Sequence, residues 1–229
     1  MKLTKYDLNW VLRHVPKNLI TIIEKTPNIF IAGGFIRSCV ANEKINDIDL
    51  FVSSNKEGAA LAFELNNHEM HSIHETDNAF TITKYKPSIQ IIHRWVFDCP
   101  EKLIESFDFT IAKSVVFYKD GQWDSLCDES FYPDLAAKRL VYTSPQREEE
   151  AGGSMLRVLK FYQNGYRIPL DSLSSVITRL ISKIDFKSCK RDNPKDTDFQ
   201  LSKVICGLLR SVDPNVDPTH EAHLPSKGE

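Results

Sequence analysis

The sequence holds 229 residues, 41% of them hydrophobic, which is enough for a packed core in one large domain or two small ones. The formal net charge of −2 excludes the global positive field of a dedicated nucleic-acid coat protein, so any polynucleotide partner must be held by local patches. The five cysteines are scattered without a C-x-x-C pair, which indicates reduced thiols in the cytosol and argues against zinc fingers.

The amino-terminal third of the sequence predicts alternating helices and strands. Its first residues lack the apolar core of a signal peptide, and no apolar run in the chain approaches the roughly 20 residues that span a bilayer, so we expect a soluble cytoplasmic protein without a membrane partner. Helical spacing between residues 5 and 25 predicts two short helices that are broken at Pro16. NIFIA then predicts a buried strand, GGFIRSCVA a turn into a helix, DIDLFV a strand and KEGAALAFELNN a helix.

The rest of the chain predicts more strands and then helices. AFTITKY, SIQIIH and RWVF predict two or three strands, and FTIAKSVVFYKDGQWDSL predicts a hairpin that turns at Asp120 and Gly121. Four helical patterns follow residue 130, and the last eighteen residues show no period. We therefore expect a mixed sheet domain over residues 1–128, a helical domain over residues 129–211 and a disordered tail over residues 212–229.

Two aspartates in the strand DIDLFV indicate metal chemistry. Residues two apart in a strand share a face, so Asp47 and Asp49 lie side by side while Ile48 and Leu50 point into the core. Two carboxylates this close repel each other unless cations lie between them. A pair of Mg²⁺ ions, bound through carboxylate and phosphate oxygens, offsets that repulsion.

A glycine pair upstream of this strand indicates phosphate binding. Gly33 and Gly34 close one strand and open a helix, where free backbone N–H groups can receive a phosphate. Arg37, about one turn into the helix, can offer a fork of donors to a phosphate oxygen. Metal ions opposite a phosphate site are typical of nucleotidyl transfer, in which one ion activates a hydroxyl and the other steadies the leaving pyrophosphate.

These motifs resemble the signature of the DNA polymerase beta nucleotidyltransferase superfamily, most closely the head and neck of bacterial-type CCA-adding enzymes and poly(A) polymerases. The resemblance extends over residues 29–168 through AGGFIRSCVANEKINDIDLFV, FDFTIAKSVVF, FYPDLAAKRLVY and MLRVLKFYQNGYRI. It implies an α+β fold with a five-stranded mixed sheet, flanking helices and a small helical neck. The expected domains thereby become a catalytic head over residues 1–128 and a neck over residues 129–211.

The resemblance also assigns roles to individual residues. Asp47 and Asp49 would be the catalytic, metal-binding pair. Asp108 would lie near the sugar of the incoming nucleotide. Arg157 and Lys160, one turn apart on the neck helix, would face the nucleotide pocket. Contact with the triphosphate is implied for Gly33, Gly34 and Arg37.

The sequence departs from this family at the residues that select the base. The family's EDxxR neck motif corresponds to residues 150–154 here, which read EAGGS, so the Asp and Arg that choose C or A are absent. Two family arginines are replaced by Ser106 and Phe107. Gln90 stands where a third acid lies elsewhere in the superfamily. Because the base-reading groups are missing, we do not predict CCA addition.

Two other patterns carry weaker hypotheses. His68, His71 and His74 recur every third residue, a spacing that does not gather three side chains on one face, so they are expected to be ordinary histidines. Basic residues between 183 and 203 alternate with aspartates that cancel much of their field, so a solvated loop is favoured over an RNA-binding face.

The sequence therefore predicts a Mg²⁺-dependent nucleotidyltransferase that binds an NTP and moves NMP to a hydroxyl acceptor, with release of pyrophosphate. The leading acceptor is an RNA 3′ end, by the same resemblance, and no DNA partner is expected. A second hypothesis changes the acceptor to a protein side chain or a small hydroxylated molecule. A third describes a catalytically vestigial module that binds nucleotides.

Overall fold

A computed structural model of the protein describes residues 1–67, 73–145 and 152–210. The chain divides into two compact units, Met1–Pro145 and Gln146–Glu229. The predicted tail, residues 212–229, lies outside the described residues, and the predicted head and neck remain a prediction of functional domains. The first unit begins with helices α1 (Lys5–Arg13) and α2 (Lys17–Lys25), which are separated at Pro16 as predicted.

The first unit contains a seven-stranded mixed sheet with the order β3-β4-β5-β2-β1-β6-β7. Only β2 and β5 pair in parallel; the other neighbours are antiparallel. This confirms the predicted α+β class, with two strands more than the five that the resemblance implies. The strands are β1 (Phe30–Ala32), β2 (Asp47–Phe51), β3 (Ile73–Glu75), β4 (Ala79–Ile82), β5 (Ser88–Ile92), β6 (Ser114–Lys119) and β7 (Gln122–Cys127).

One of the three candidate strands is absent, one strand was not predicted, and the predicted hairpin is present. RWVF does not form a strand. A single backbone bond, from the Phe97 N–H to the Val52 carbonyl, joins it to the residue after β2, and the Phe97 ring packs on Phe51 at 5.9 Å. The short edge strand β3 was not predicted. The β6–β7 hairpin turns at Asp120 and Gly121, whose φ angles of 51° and 79° suit a two-residue turn.

The two faces of the sheet are covered by different groups of residues. The remaining elements of this unit are α3 (Gly34–Val40), α4 (Asn55–Leu65), α5 (Pro100–Glu105), a 3₁₀ turn (Thr110–Ala112) and α6 (Phe131–Ala136). Ile48 and Leu50 are fully buried on one face. Phe51 lies on the other face and packs with Leu103 of α5 in a separate cluster. Asp47 and Asp49 share the face of Phe51, because side chains alternate along a strand.

The second unit is helical in its described part. It contains α7 (Gly153–Gln163), α8 (Leu170–Ile181), α9 (Phe186–Cys189) and α10 (Pro194–Arg210). The apolar periods predict α7, α8 and the second half of α10, whereas α9 and the start of α10 lie in residues 183–203, where the sequence favours a loop. Val158, Phe161, Val176 and Leu180 are buried. Across the described ranges, none of the helices combines the length and the hydropathy that a membrane crossing requires.

Candidate active site

Strand β2 places Asp47 and Asp49 as the sequence predicts. Both residues are half-buried, whereas Ile48 and Leu50 between and after them are fully buried. The alternation follows from the two-residue period of a strand, so the two carboxylates emerge side by side from one face. Their catalytic and metal-binding roles stay predictions.

Gln90 lies beside this pair on the neighbouring strand. The parallel register sets Asp49 opposite Gln90, and Gln90 Nε2 donates a hydrogen bond of 3.2 Å to Asp47 Oδ2. A neutral amide therefore occupies the position that the resemblance aligns with a third acid, as the sequence indicates. It orients one oxygen of Asp47 without adding a third negative charge.

The glycine turn lies against the second aspartate. Gly33 has a φ of 76°, and its N–H donates to the Ser114 carbonyl at 3.1 Å. A Cβ added at Gly33 would lie 3.9 Å from Asp49 Oδ2 and 3.3 Å from the ring of Phe107. The fold thus brings together the turn and the carboxylate that the sequence assigned to one site.

Arg37 is held next to the same turn. A Cβ added at Gly34 would lie 3.8 Å from Arg37 Nη1, so the guanidinium lies beside the glycine backbone. Arg37 Nη2 donates to Ser38 Oγ at 3.0 Å, and its Nε lies 3.6 Å from Glu43 Oε2. Phosphate binding at this turn stays a prediction, with α3 only seven residues long.

Glu43 lies between Arg37 and a second cationic side chain, Lys138. Its Oε1 lies 3.9 Å from Lys138 Nζ, just after α6, while its Oε2 faces Arg37. No pattern in the sequence indicates this bridge, because Lys138 lies far along the chain and has a left-handed φ of 47° that no motif predicts.

Asp108 lies near the glycine turn but is buried, with 2% of its surface exposed. Its backbone carbonyl accepts the Thr143 N–H at 2.8 Å. The adjacent Phe107 contacts the Gly33 position and packs on Phe51 at 5.8 Å. Phe107 therefore replaces a family arginine with a packing residue, and the role of Asp108 at a nucleotide sugar stays a prediction.

The segment FYPDLAAKRL contains a buried carboxylate with a structural role. Asp134 is fully buried, accepts the Thr110 hydroxyl at 2.6 Å and accepts Arg139 Nε at 2.7 Å. These bonds join α6 to the 3₁₀ turn that follows Asp108. The family resemblance identified this segment, but the bonds that Asp134 makes to Thr110 and Arg139 are seen only in the structure.

The second unit contains the remaining predicted residues. Arg157 and Lys160 lie one turn apart on α7, half-buried and exposed respectively. Their contact with a nucleotide stays a prediction.

The base-selecting positions also fall in the second unit. Glu150 and Ala151 lie outside the described residues. A Cβ at Gly152 would overlap the Leu208 carbonyl of α10, and Ser154 is buried. Close packing of α7 on α10 thus explains why this part of the motif carries small residues.

The histidine pattern does not form a metal site in the structure's described portion. His68 and His71 lie outside it, and His74 is exposed on β3. No group of three or more His, Cys, Asp or Glu side chains placed to hold a metal occurs among the described residues. Any metal at Asp47 and Asp49 would therefore need further ligands from substrate or water.

Solved structures with a similar fold come from enzymes that process tRNA. The Thermotoga maritima CCA-adding enzyme complexed with tRNA has a TM-score of 0.55 at 16% identity, over 89% of this chain and 55% of that one. A CCA-adding enzyme with CTP scores 0.57 at 16% identity, over 89% and 51%. An apo tRNA-processing enzyme scores 0.56 at 17% identity, over 93% and 60%. The fold therefore resembles that of nucleotidyltransferases.

One curated relative in sequence is a phage protein. Gabija anti-defense 2 of Bacillus phage SPbetaL7 is 26% identical over 164 residues, which cover 72% of this chain and 40% of that protein. The chain thus matches less than half the length of this curated relative. The Gad2 family, described as Gabija anti-defense 2 family protein, matches residues 2–138, which is more than half of the chain. The protein belongs to the Gabija anti-defense 2 family.

Proposed function

We propose that this protein is a metal-dependent nucleotidyltransferase that moves NMP from an NTP to a hydroxyl acceptor. The observation that carries the proposal is the proximity of the Gly33 turn to Asp49, which lies beside Asp47 on the same strand face; a Cβ added at Gly33 would be 3.9 Å from Asp49 Oδ2. A phosphate could come close to the glycine backbone there and lie next to two adjacent carboxylates. Arg37, fixed by Glu43 and Ser38, supplies a cation at the same turn.

The two carboxylates present suit Mg²⁺, which does not need a site built entirely from protein ligands. Mg²⁺ is usually bound through one or two carboxylates, with substrate phosphates and water completing its coordination. Asp47 and Asp49 are hard oxygen donors of this kind, and Gln90 occupies one oxygen of Asp47 only by a neutral hydrogen bond. When bound, the ions would lower the charge on the phosphates and favour ionisation of the acceptor hydroxyl.

The chain's own residues position the reacting groups. The Gly34 N–H and Arg37 hold the triphosphate with its α-phosphorus near the two aspartates; Gly33 contributes close approach only, because its own N–H is bonded to the Ser114 carbonyl. The acceptor oxygen forms a bond to that phosphorus, and the bond to the bridging oxygen of the β-phosphate breaks. Pyrophosphate leaves with the electron pair, and the hydroxyl proton passes to solvent. Gln90 keeps Asp47 oriented throughout.

The favoured acceptor is an RNA 3′ end. Enzymes with this fold include a CCA-adding enzyme complexed with tRNA, which supports an RNA acceptor by likeness of fold. Ala151 and Ser154 stand where the family's EDxxR motif carries its base-reading Asp and Arg, so we expect weak discrimination among nucleotides. Transfer to a protein or small-molecule hydroxyl is the alternative, and label appearing only on protein would establish it.

The family gives the activity a setting. Its members are named for action against the Gabija defence system, so we propose that transfer by this chain serves to counter that system. A vestigial protein that only binds nucleotides would instead counter that system by binding to a partner. The two differ in whether pyrophosphate is released.

The decisive variant pair replaces the carboxylates without changing their size. We expect Asp47→Asn and Asp49→Asn each to lower transfer of α-labelled NTP by about a hundredfold or more, because several kcal/mol of charge stabilisation is lost. Pyrophosphate release and label on RNA or protein are the measurements. Asp77→Asn, at an exposed turn, is the matched control and should keep wild-type activity.

Equal activity in the aspartate variants and the control would contradict the proposal. Binding is measured separately by melting temperature, since a ligand at a hundred times its Kd stabilises the folded state by about 2.7 kcal/mol. A shift with MgNTP in wild type, but no pyrophosphate, would support the vestigial module.

A further inference from the structure

The tip of the β4–β5 hairpin lies at the same end of the sheet as Asp47. In the parallel ladder Asp47 is paired with Ser88, the first residue of β5. Lys86 precedes Ser88 by two residues, which is at most about 7 Å of extended chain. Neighbouring strands are about 4.8 Å apart. The distance from a lysine on this tip to the carboxylate pair is therefore comparable to the length of one or two nucleotides.

Tyr85 anchors this tip to the helices behind the sheet. Its hydroxyl donates to the Leu65 carbonyl at 2.9 Å and accepts a hydrogen bond from Asn18 Nδ2. The side chains on either side of it, Lys84 and Lys86, remain exposed. The anchor gives the two lysines a fixed position next to the site instead of a mobile one.

Two further lysines extend this positive surface, which we call the lysine rim. Lys44 lies in the segment that leads into Asp47, and Lys17 precedes the Asn18 that bonds to Tyr85; both are exposed. Within the described ranges, none of the four rim lysines forms an ion pair. The rim consists of Lys17, Lys44, Lys84 and Lys86.

The nearby acids do not cancel the rim. Glu43 already faces Arg37 and Lys138, and Glu64, one residue before Leu65, is a single exposed carboxylate. Glu64, Asp47 and Asp49 carry three negative charges against the four lysines, and the Mg²⁺ proposed at the two aspartates would offset theirs, so the rim is a local excess of positive charge.

We propose that the lysine rim binds backbone phosphates of an RNA acceptor whose 3′ hydroxyl is presented at Asp47 and Asp49, which rests on the transfer activity proposed above. A polynucleotide carries the hydroxyl and the neighbouring phosphates in one molecule, at a separation of this order. A serine side chain or a small alcohol carries no such phosphates. The basic segment between residues 183 and 203 lacks this advantage, because its aspartates cancel much of its charge.

The test measures RNA binding without NTP, so that it is independent of catalysis. The affinity of a short, 5′-fluorescein-labelled single-stranded RNA is followed by anisotropy over a salt series for wild type and for K84Q/K86Q. Each phosphate contact on a single strand contributes a slope of about 0.7 in log affinity against log salt. We expect the double variant to bind more weakly at low salt and to lose about 1.4 of that slope.

The matched control removes two exposed lysines from the second unit. K187Q/K190Q carries the same charge change and should bind RNA as wild type does, and unchanged melting temperatures show that both variants fold. An equal loss in both variants, or no loss in K84Q/K86Q, would overturn the lysine rim. Polyglutamate competing as well as RNA would also overturn it, because it would show a response to negative charge without phosphate.

The two proposals fail in different assays. Transfer of label that depends on Asp47, with RNA binding unaffected by K84Q/K86Q, would reject the rim and keep the enzyme. RNA binding that depends on the rim, without pyrophosphate release, would support the rim and reject catalysis.

Discussion

Gly33 has a left-handed φ of 76° at the point where the backbone meets Asp49. An L-residue in this conformation costs roughly 1–2 kcal/mol. A side chain here would also press on Phe107 at 3.3 Å and lie 3.9 Å from Asp49 Oδ2. At the scale of the single residue, glycine is required both by backbone conformation and by the space that a phosphate would need.

Gly33→Ala should therefore destabilise the protein and impair nucleotide binding. We expect a loss of about 1–3 kcal/mol in urea unfolding and a reduced rise of melting temperature with MgNTP. Gly121→Ala is the control, since Gly121 has a φ of 79° with no atom within 4 Å of an added Cβ. It should lose stability from backbone strain alone. An undiminished MgNTP shift in Gly33→Ala would contradict a phosphate contact at this turn.

At the scale of elements, one carboxylate joins α6 to the 3₁₀ turn. Asp134 is fully buried and is bonded to Thr110 and Arg139, whereas the Arg139 side chain is 51% exposed. A buried charge that loses its partner is strongly destabilising, but exposure of Arg139 lets solvent screen part of the loss. The pair therefore specifies where the turn after Asp108 is placed.

Arg139→Met should cost about 2 kcal/mol, because it leaves the Asp134 carboxylate buried without its cation. The double variant Asp134→Leu/Arg139→Met should recover part of that loss, since the unpaired charge is then gone. Urea unfolding of the wild type, both single variants and the double variant gives the coupling energy. Additive losses would show that the two side chains do not act as a pair.

At the scale of the whole molecule, burial affects ionisable groups in several elements. Desolvation raises the pKa of the Cys39 thiol to about 12. It also raises the pKa of Cys127 to about 11, where the amino terminus opposes and Asp128 adds to the shift. Burial and then the hydrogen bond to Asp7 raise the pKa of Tyr132 to about 12. The folded state keeps these protons at a pH where the unfolded chain releases them.

Stability should therefore fall as pH rises above about 9. The unfolded thiols ionise near pH 9 and the folded ones only near pH 11–12, so the unfolded state binds fewer protons in this window. Cys39 alone accounts for about 1 kcal/mol at pH 10. Urea midpoints at pH 7.5 and pH 10 measure the fall. Cys39→Ala should lessen it, whereas Cys206→Ala should not; an equal fall in both would contradict the assignment.

Much of the fold and part of the site follow from the sequence. Pro16 separates two helices, Asp120 and Gly121 make a tight turn, and Asp47 shares a face with Asp49, because backbone sterics and side-chain periods act over a few residues. The same local rules placed the glycine turn just upstream. They did not predict the strand β3, a short edge strand whose pairing is with residues of the next strand.

Only the tertiary structure decided which distant groups meet these residues. Gln90 bonds to Asp47 because β5 pairs in parallel with β2, and Lys86 lies beside the site through the same register. Glu43 links Arg37 to Lys138 across a large sequence separation. Each of these depends on strand order and register, which are set by the packing of the whole sheet. Local sequence therefore determined the carboxylates and the turn, and the fold decided what surrounds them.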